Sequence, residues 1–257
     1  MTIADQILYE DNHLLALNKM PGQITQGDKT GDTPLADLVK AYIKERDSKP
    51  GNVFCGVIHR LDRPVSGVVL LAKTSKALSR MTQMVKERDF QKRYWAVVKE
   101  APEAPAATLE DWLVKDEARN KSRVVPEGTV GAKLASLDYR HLAVSDGGYH
   151  LLEVNLHTGR HHQIRCQLAH IGSPIKGDLK YGAPRSNPDG SISLHARSVS
   201  FNHPVTHAPL TITAPNAEIE RMFNIEKTNK NNINNEKNNS VGSIADHFHC
   251  RLTGANS

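Results

Sequence analysis

Two strand-like runs, Lys133 to Val144 and Tyr149 to His157, flank the tetrad Ser145-Asp146-Gly147-Gly148. Turn-forming residues between two such runs read as the connection of an antiparallel hairpin. That pairing commits the chain to a sheet and delivers it to Thr158-Gly159. Further strands fit beside it. His13–Asn18 is a short apolar run that ends near Pro21-Gly22, and Val68–Leu71 reads as a buried strand. Phe90–Lys99 alternates, with Phe90, Tyr94, Ala96 and Val98 on one side and Arg93, Trp95 and Val97 on the other. Two more strands are expected near Leu194–Phe201 and Leu210–Ala214.

Helical stripes interrupt these runs. Asp32 or Thr33 is expected to cap a helix with Pro34 in its first turn and Leu35, Leu38, Val39, Tyr42 and Ile43 facing the core. Thr74 or Ser75 caps a second, whose stripe is Ala77, Leu78, Met81, Met84 and Val85. Ile164, Leu168 and Ile171 mark a third, which Gly172 ends. The expected fold is therefore α+β: one domain on a mixed, mainly antiparallel sheet with flanking helices, spanning residues 1–223. From Asn224 the composition changes. Asn229, Asn231, Asn232, Asn234, Asn235, Asn238 and Asn239 crowd a stretch with few apolar residues, and such a composition cannot offset the entropy of ordering. Residues 224–257 are expected to be a disordered tail.

Charge and cysteines narrow the function. Lys and Arg number 33 against 28 Asp and Glu, and the net charge of +5 favours a phosphate-rich partner. Cys55, Cys166 and Cys250 are too widely spaced for a disulfide framework or a Cys-x-x-Cys metal knuckle, which fits a reducing cytoplasm. No basic-then-apolar leader opens the chain and no apolar run approaches a membrane span, so a soluble, unexported protein is expected.

The segment richest in chemistry is His59-Arg60-Leu61-Asp62-Arg63-Pro64-Val65-Ser66-Gly67, a carboxylate among cations. It reads equally as a surface loop in which Asp62 pairs with Arg60 or Arg63. A second basic segment, Thr158-Gly159-Arg160-His161-His162-Gln163-Ile164-Arg165, ends a strand and opens a helix, where backbone N–H groups are available to an anion. Residue types alone leave both readings open. His162, Cys166 and His170 also fall at i, i+4 and i+8, which raises a metal site; ligands spread over more than two turns reach one ion poorly, and no metal is expected. A glycosidase would need a second carboxylate across a cleft, and none is tied to the Asp62 loop.

The order of motifs resembles the RluA-type pseudouridine synthases. Their catalytic pattern HRLDxxTSG stands here as HRLDRPVSG, with Val65 for Thr, and the likeness continues through ILYEDNHLLALNKMPG, KRYWAVV, GRHHQIR and GSPIKGDLKYG. His161 stands where the family usually has Thr. The resemblance implies an isomerase that converts uridines in structured ribosomal or transfer RNA to pseudouridine, without cofactor or metal. Asp62 would be the catalytic carboxylate, paired with Arg165, a cation that favours the charged form of an acid beside it. Tyr94 would stack on the target base, Arg60 would enter the space that the flipped base leaves, and Ile164 would close the apolar floor of the pocket, though it fits core packing as well. Asp62 would act as a nucleophile on the sugar or as a base on a ribose proton. No separate RNA-binding domain is expected before the catalytic one, so the domain itself would read its RNA, and a monomer is expected. The alternative of another class is an RNA-binding or RNA-chaperone protein of the same fold with degenerate catalytic residues.

Overall fold

The computed structural model describes residues 2–27 and 30–225. The chain divides into two compact units, Met1–Asn216 and Ala217–Ser257. The described part of the second holds one short helix, Ala217–Met222. Apart from 224 and 225, the expected tail lies outside the described residues, as do His247, His249 and Cys250.

In the first unit, helix α1 (Ile3–Gln6) is closed by a capping box between Thr2 and Asp5 and leads into strand β1 (Ile7–Glu10). Strand β2 (Leu14–Lys19) pairs antiparallel with β1 on one side and with β4 (Ser66–Ala72) on the other. Both β2 and β4 are apolar almost without interruption because both of their faces are covered. Leu15, Leu17, Val69 and Leu71 enter one core, with Leu35, Val39 and Ile43 of helix α2 (Leu35–Arg46). Leu14, Ala16, Val68 and Leu70 enter the other, with Ala77 and Met81 of helix α3 (Ser75–Glu87).

Two helix starts differ in how they are capped. The Thr74 hydroxyl accepts from Ala77 N at 3.1 Å, the N-cap bond expected for α3. For α2 the N-cap is Pro34, not Asp32 or Thr33, and it makes no side-chain cap bond; the Leu35 N–H donates to the Ile24 carbonyl at 2.7 Å. Tertiary contact replaces the local cap.

Strand β3 (Gly56–Val57) joins the outer part of β4, and the chain then crosses the Asp62 loop into β4. Strand β5 (Gln91–Val98) follows α3. Strands β6 (Ala106–Asp116) and β7 (Lys121–Val125) form a hairpin at the sheet edge, followed by the β8 (Lys133–Val144) and β9 (His150–Leu156) hairpin. Helix α4 (Gln163–His170) and a 3-10 turn at Leu179–Tyr181 precede β10 (Leu194–Asn202) and β11 (Pro209–Thr213). Among the described residues the strands run in the order β1-β2-β4-β10-β5-β9-β8-β6-β7, with β3 also on β4 and β11 also on β10.

Among the described residues one pair of strands, β4 and β10, is parallel, matching Ser66 with His195 and Gly67 with Ala196. Gly67 allows it. Its φ is +114°, and a Cβ there would stand 2.3 Å from the Ala196 carbonyl oxygen, so only glycine fits where the Asp62 loop enters the sheet. Tyr94, Ala96 and Val98 share a face, as their alternation requires. Phe90 does not join them. It precedes β5 and packs in the opposite core against His59 and Phe201. No helix among the described residues is long and apolar enough to cross a membrane.

Candidate active site

Asp62 sits on a tight loop whose backbone is fixed from several directions. Val65 N donates to the Asp62 carbonyl at 3.1 Å, Gly22 N to the Arg63 carbonyl at 2.9 Å and Ile192 N to the Pro64 carbonyl at 3.2 Å. Leu61 and Val65, on either side of the turn, are buried in the core. Beneath them lies Lys19, the last residue of β2, with no exposed surface. Its Nζ donates to the carbonyls of Met20, Arg63 and Val65 at 3.1, 3.1 and 2.6 Å. A lysine that ends an apolar strand here ties down the loop that presents Asp62.

Burial pulls the Lys19 ammonium down to about 7, against the opposing pull of the Asp62 charge. Replacing Lys19 with Met should therefore have two consequences. Three buried carbonyls lose their donor, which should cost about 1–3 kcal/mol of stability. The pH dependence has a definite sign. The folded chain releases the Lys19 proton near 7, the unfolded chain only near 10.5, so raising the pH between those values favours the folded wild type. Urea denaturation of both proteins at about pH 6.5 and about pH 9 should show the deficit of Lys19→Met widening at the higher pH. A gap that does not change would remove the titrating lysine from the account.

The Asp62 carboxylate meets Arg165, on the first turn of α4 and 103 residues away in sequence: Arg165 Nη1 donates to Asp62 Oδ2 at 3.0 Å. The local pairing that the sequence left open does not form. Arg63 bonds Asp32, and Arg60 is exposed on the Asp62 loop. Arg165 also holds a partner that sequence reasoning missed. Its Nε and Nη2 grip Asp178 Oδ2 and Oδ1 at 2.7 and 2.9 Å, a two-point pairing of guanidinium with carboxylate. The Asp178 side chain is 1% exposed and that of Arg165 6%, whereas that of Asp62 is 32% exposed. Burial disfavours the Arg165 charge, but Asp178 and then Asp62 outweigh it and hold Arg165 above its usual value. One buried cation thus spends two nitrogens on a hidden acid and offers the third to an acid that solvent can reach.

Tyr94 and Ile164 come together in the core that also contains Leu61, Val65 and Leu194. Burial first and the Asp62 charge second raise the Tyr94 hydroxyl, which stays protonated at ordinary pH. Both side chains are packed in this state, at 6% and 4% exposure, so Ile164 does serve the core. His162, Cys166 and His170, considered as metal ligands, do not form one cluster among the described residues. His162 contacts Tyr181 and Asp62, and Cys166 donates to the Ser122 carbonyl. Among the described residues no three His, Cys, Asp or Glu side chains are placed to hold a metal. The open hollow bounded by Glu10, Arg46, Phe54 and Lys73 contains none of these residues, and in it Glu10 pairs with both Arg46 and Lys73.

The chain has relatives in sequence and in fold. The sequence pattern of the RNA pseudouridylate synthase family matches residues 13–170. Ribosomal large subunit pseudouridine synthase C of Vibrio vulnificus is 29% identical over 235 residues, covering 89% of this chain and 71% of that protein. An uncharacterized RNA pseudouridine synthase of Chlorobaculum parvum is 34% identical over 233 residues, covering 81% and 70%. Among solved structures, human RNA pseudouridylate synthase domain containing 4 superposes with a TM-score of 0.69 at 23% identity, over 83% of this chain and 89% of that one, and so shares the fold.

Proposed function

The chain belongs to the RNA pseudouridylate synthase family, as an enzyme of the RluA type that acts on RNA, and on that premise we propose that it isomerises particular uridines of structured ribosomal or transfer RNA with Asp62 as the essential carboxylate. The observation that carries this reading is the division of Arg165 between Asp178 and Asp62. It supports an aspartate held in a fixed orientation by a cation that cannot drift, on a loop that solvent, and hence substrate, can reach.

The chemistry needs little else. The bond between uracil N1 and ribose breaks, the base turns, and a carbon–carbon bond forms to C5. The proton on C5 is lost and N1 gains one. No net oxidation occurs, so a single carboxylate suffices, either attacking the sugar carbon or removing a ribose proton. Tyr94 and Ile164 would receive the base, which requires their packed faces to open. Arg60, exposed beside Asp62, is suited to fill the stack that the flipped uridine leaves, at an opening cost of roughly a few kcal/mol. Unpaired or loop nucleotides expose their base edges to such a site, and a basic chain suits their phosphates.

Mapping pseudouridine across total RNA from cells with and without the gene tests the proposal. One or a few uridines of ribosomal or transfer RNA should lose the modification and regain it with the wild-type gene. Identical maps would overturn it.

A further inference from the structure

Asp62 Oδ2 has a second neighbour besides Arg165: His162 Nε2 stands 3.5 Å from the same oxygen. His162 is the N-cap of α4, with a left-handed backbone at φ 52°, a conformation that His, Asn and Asp tolerate best among side-chain-bearing residues. Its side chain is 7% exposed. Two neighbours fix the ring. Nδ1 lies 3.1 Å from the Tyr181 hydroxyl, and His161 stacks on it with centroids 3.8 Å apart and 23° between the planes. His161 is held in turn from the start of β7 and the turn before it: Nδ1 is 3.0 Å from Ser122 Oγ, and Nε2 is 3.0 Å from Asn120 Oδ1.

The tautomer follows from electrostatics. Burial, reinforced by the charges of Arg165, His161, Lys180 and Lys115, holds His162 down at about 2, so the ring carries a single proton. With that proton on Nδ1, the Nε2 lone pair would face a carboxylate. With it on Nε2, the donor is the nitrogen 3.5 Å from Asp62 Oδ2, and the Tyr181 hydroxyl donates to Nδ1 at 3.1 Å in place of the Ser122 carbonyl at 3.3 Å, while Tyr181 accepts from Ser122 N at 2.8 Å. The Ser122 carbonyl keeps a donor in Cys166 Sγ. The second arrangement is the favourable one. The 3.5 Å separation is long for a formed hydrogen bond, and catalytic hydrogen bonds commonly shorten only when substrate is bound.

We propose that His162 is a positioning residue which, with Arg165, occupies Asp62 Oδ2 and leaves Oδ1 to face the ribose, its tautomer set by Tyr181 and its plane by His161. This rests on the reading of Asp62 given above. The β6–β7 hairpin thereby becomes part of the catalytic support.

Two substitutions separate the donor from the bulk. His162→Asn suits the left-handed backbone and still reaches Tyr181, but it has no donor at the Nε2 position. His162→Gln carries an amide to that position. Single-turnover rates on an RNA stem-loop and dissociation constants for the same RNA should be measured for both, beside Asp62→Asn. The asparagine variant should be slowed about 10- to 100-fold, the loss expected for a hydrogen bond to a charged group, while the glutamine variant stays within about threefold of wild type and both bind normally. A wild-type rate for His162→Asn, or equal slowing of both variants, would overturn the positioning role. If Asp62→Asn is inactive while His162→Asn is unimpaired, only this inference falls; if Asp62→Asn turns over normally, the Asp62 reading falls and takes the inference with it.

Discussion

Arg165→Met should abolish turnover and lower folding stability by about 3–5 kcal/mol, the range found when one partner of a buried ion pair is removed. The two acids it serves would not suffer equally. Asp62, with 32% of its side chain exposed, can recover water, whereas Asp178, at 1%, is left as a buried carboxylate without its two-point partner. The stability loss should therefore be traceable to Asp178. Adding Asp178→Leu to Arg165→Met replaces the buried pair by apolar groups and should restore much of the stability, since such replacements are often close to neutral. It should restore no activity, because Asp62 still lacks its cation. Urea denaturation of the single and double variants gives the stabilities, and single-turnover assays give the activities. If Arg165→Met is as stable as wild type, Asp178 does not depend on it and the pairing drawn here is wrong.

The Asp62–Arg165 ion pair was legible in the sequence, and the groups that support it were not. Asp62 and Arg165 lie in segments whose residue order is distinctive, so their pairing was expected although 103 positions separate them. Strands β2 and β4 and helix α3 were legible because burial on one face or two leaves a periodic trace in apolar residues. The β6–β7 hairpin went unseen between Glu100 and Ala132. Along β6 only Leu113 is buried, and Glu110, Asp111 and Lys115 dilute the alternation that marks a strand. Lys19 and Asp178 were missed for another reason. A charged residue at zero or 1% exposure looks in sequence like any solvated charge, and only the assembled structure shows the carbonyls or the guanidinium that make its burial tolerable. The one available hint was its place: Asp178 follows Gly177 in a segment already singled out for its likeness to the family.

We propose that Asp62 performs the chemistry. Forming the new bond at C5 expels the hydrogen there, so RNA carrying tritium at uracil C5 reports each turnover by releasing label to water. With wild-type protein the release should match one or a few uridines per RNA. Asp62→Asn should release none above the blank while binding the same RNA within about threefold, since affinity rests mainly on phosphate contacts and shape. Full release by an asparagine variant whose mass excludes reversion to aspartate would contradict the account.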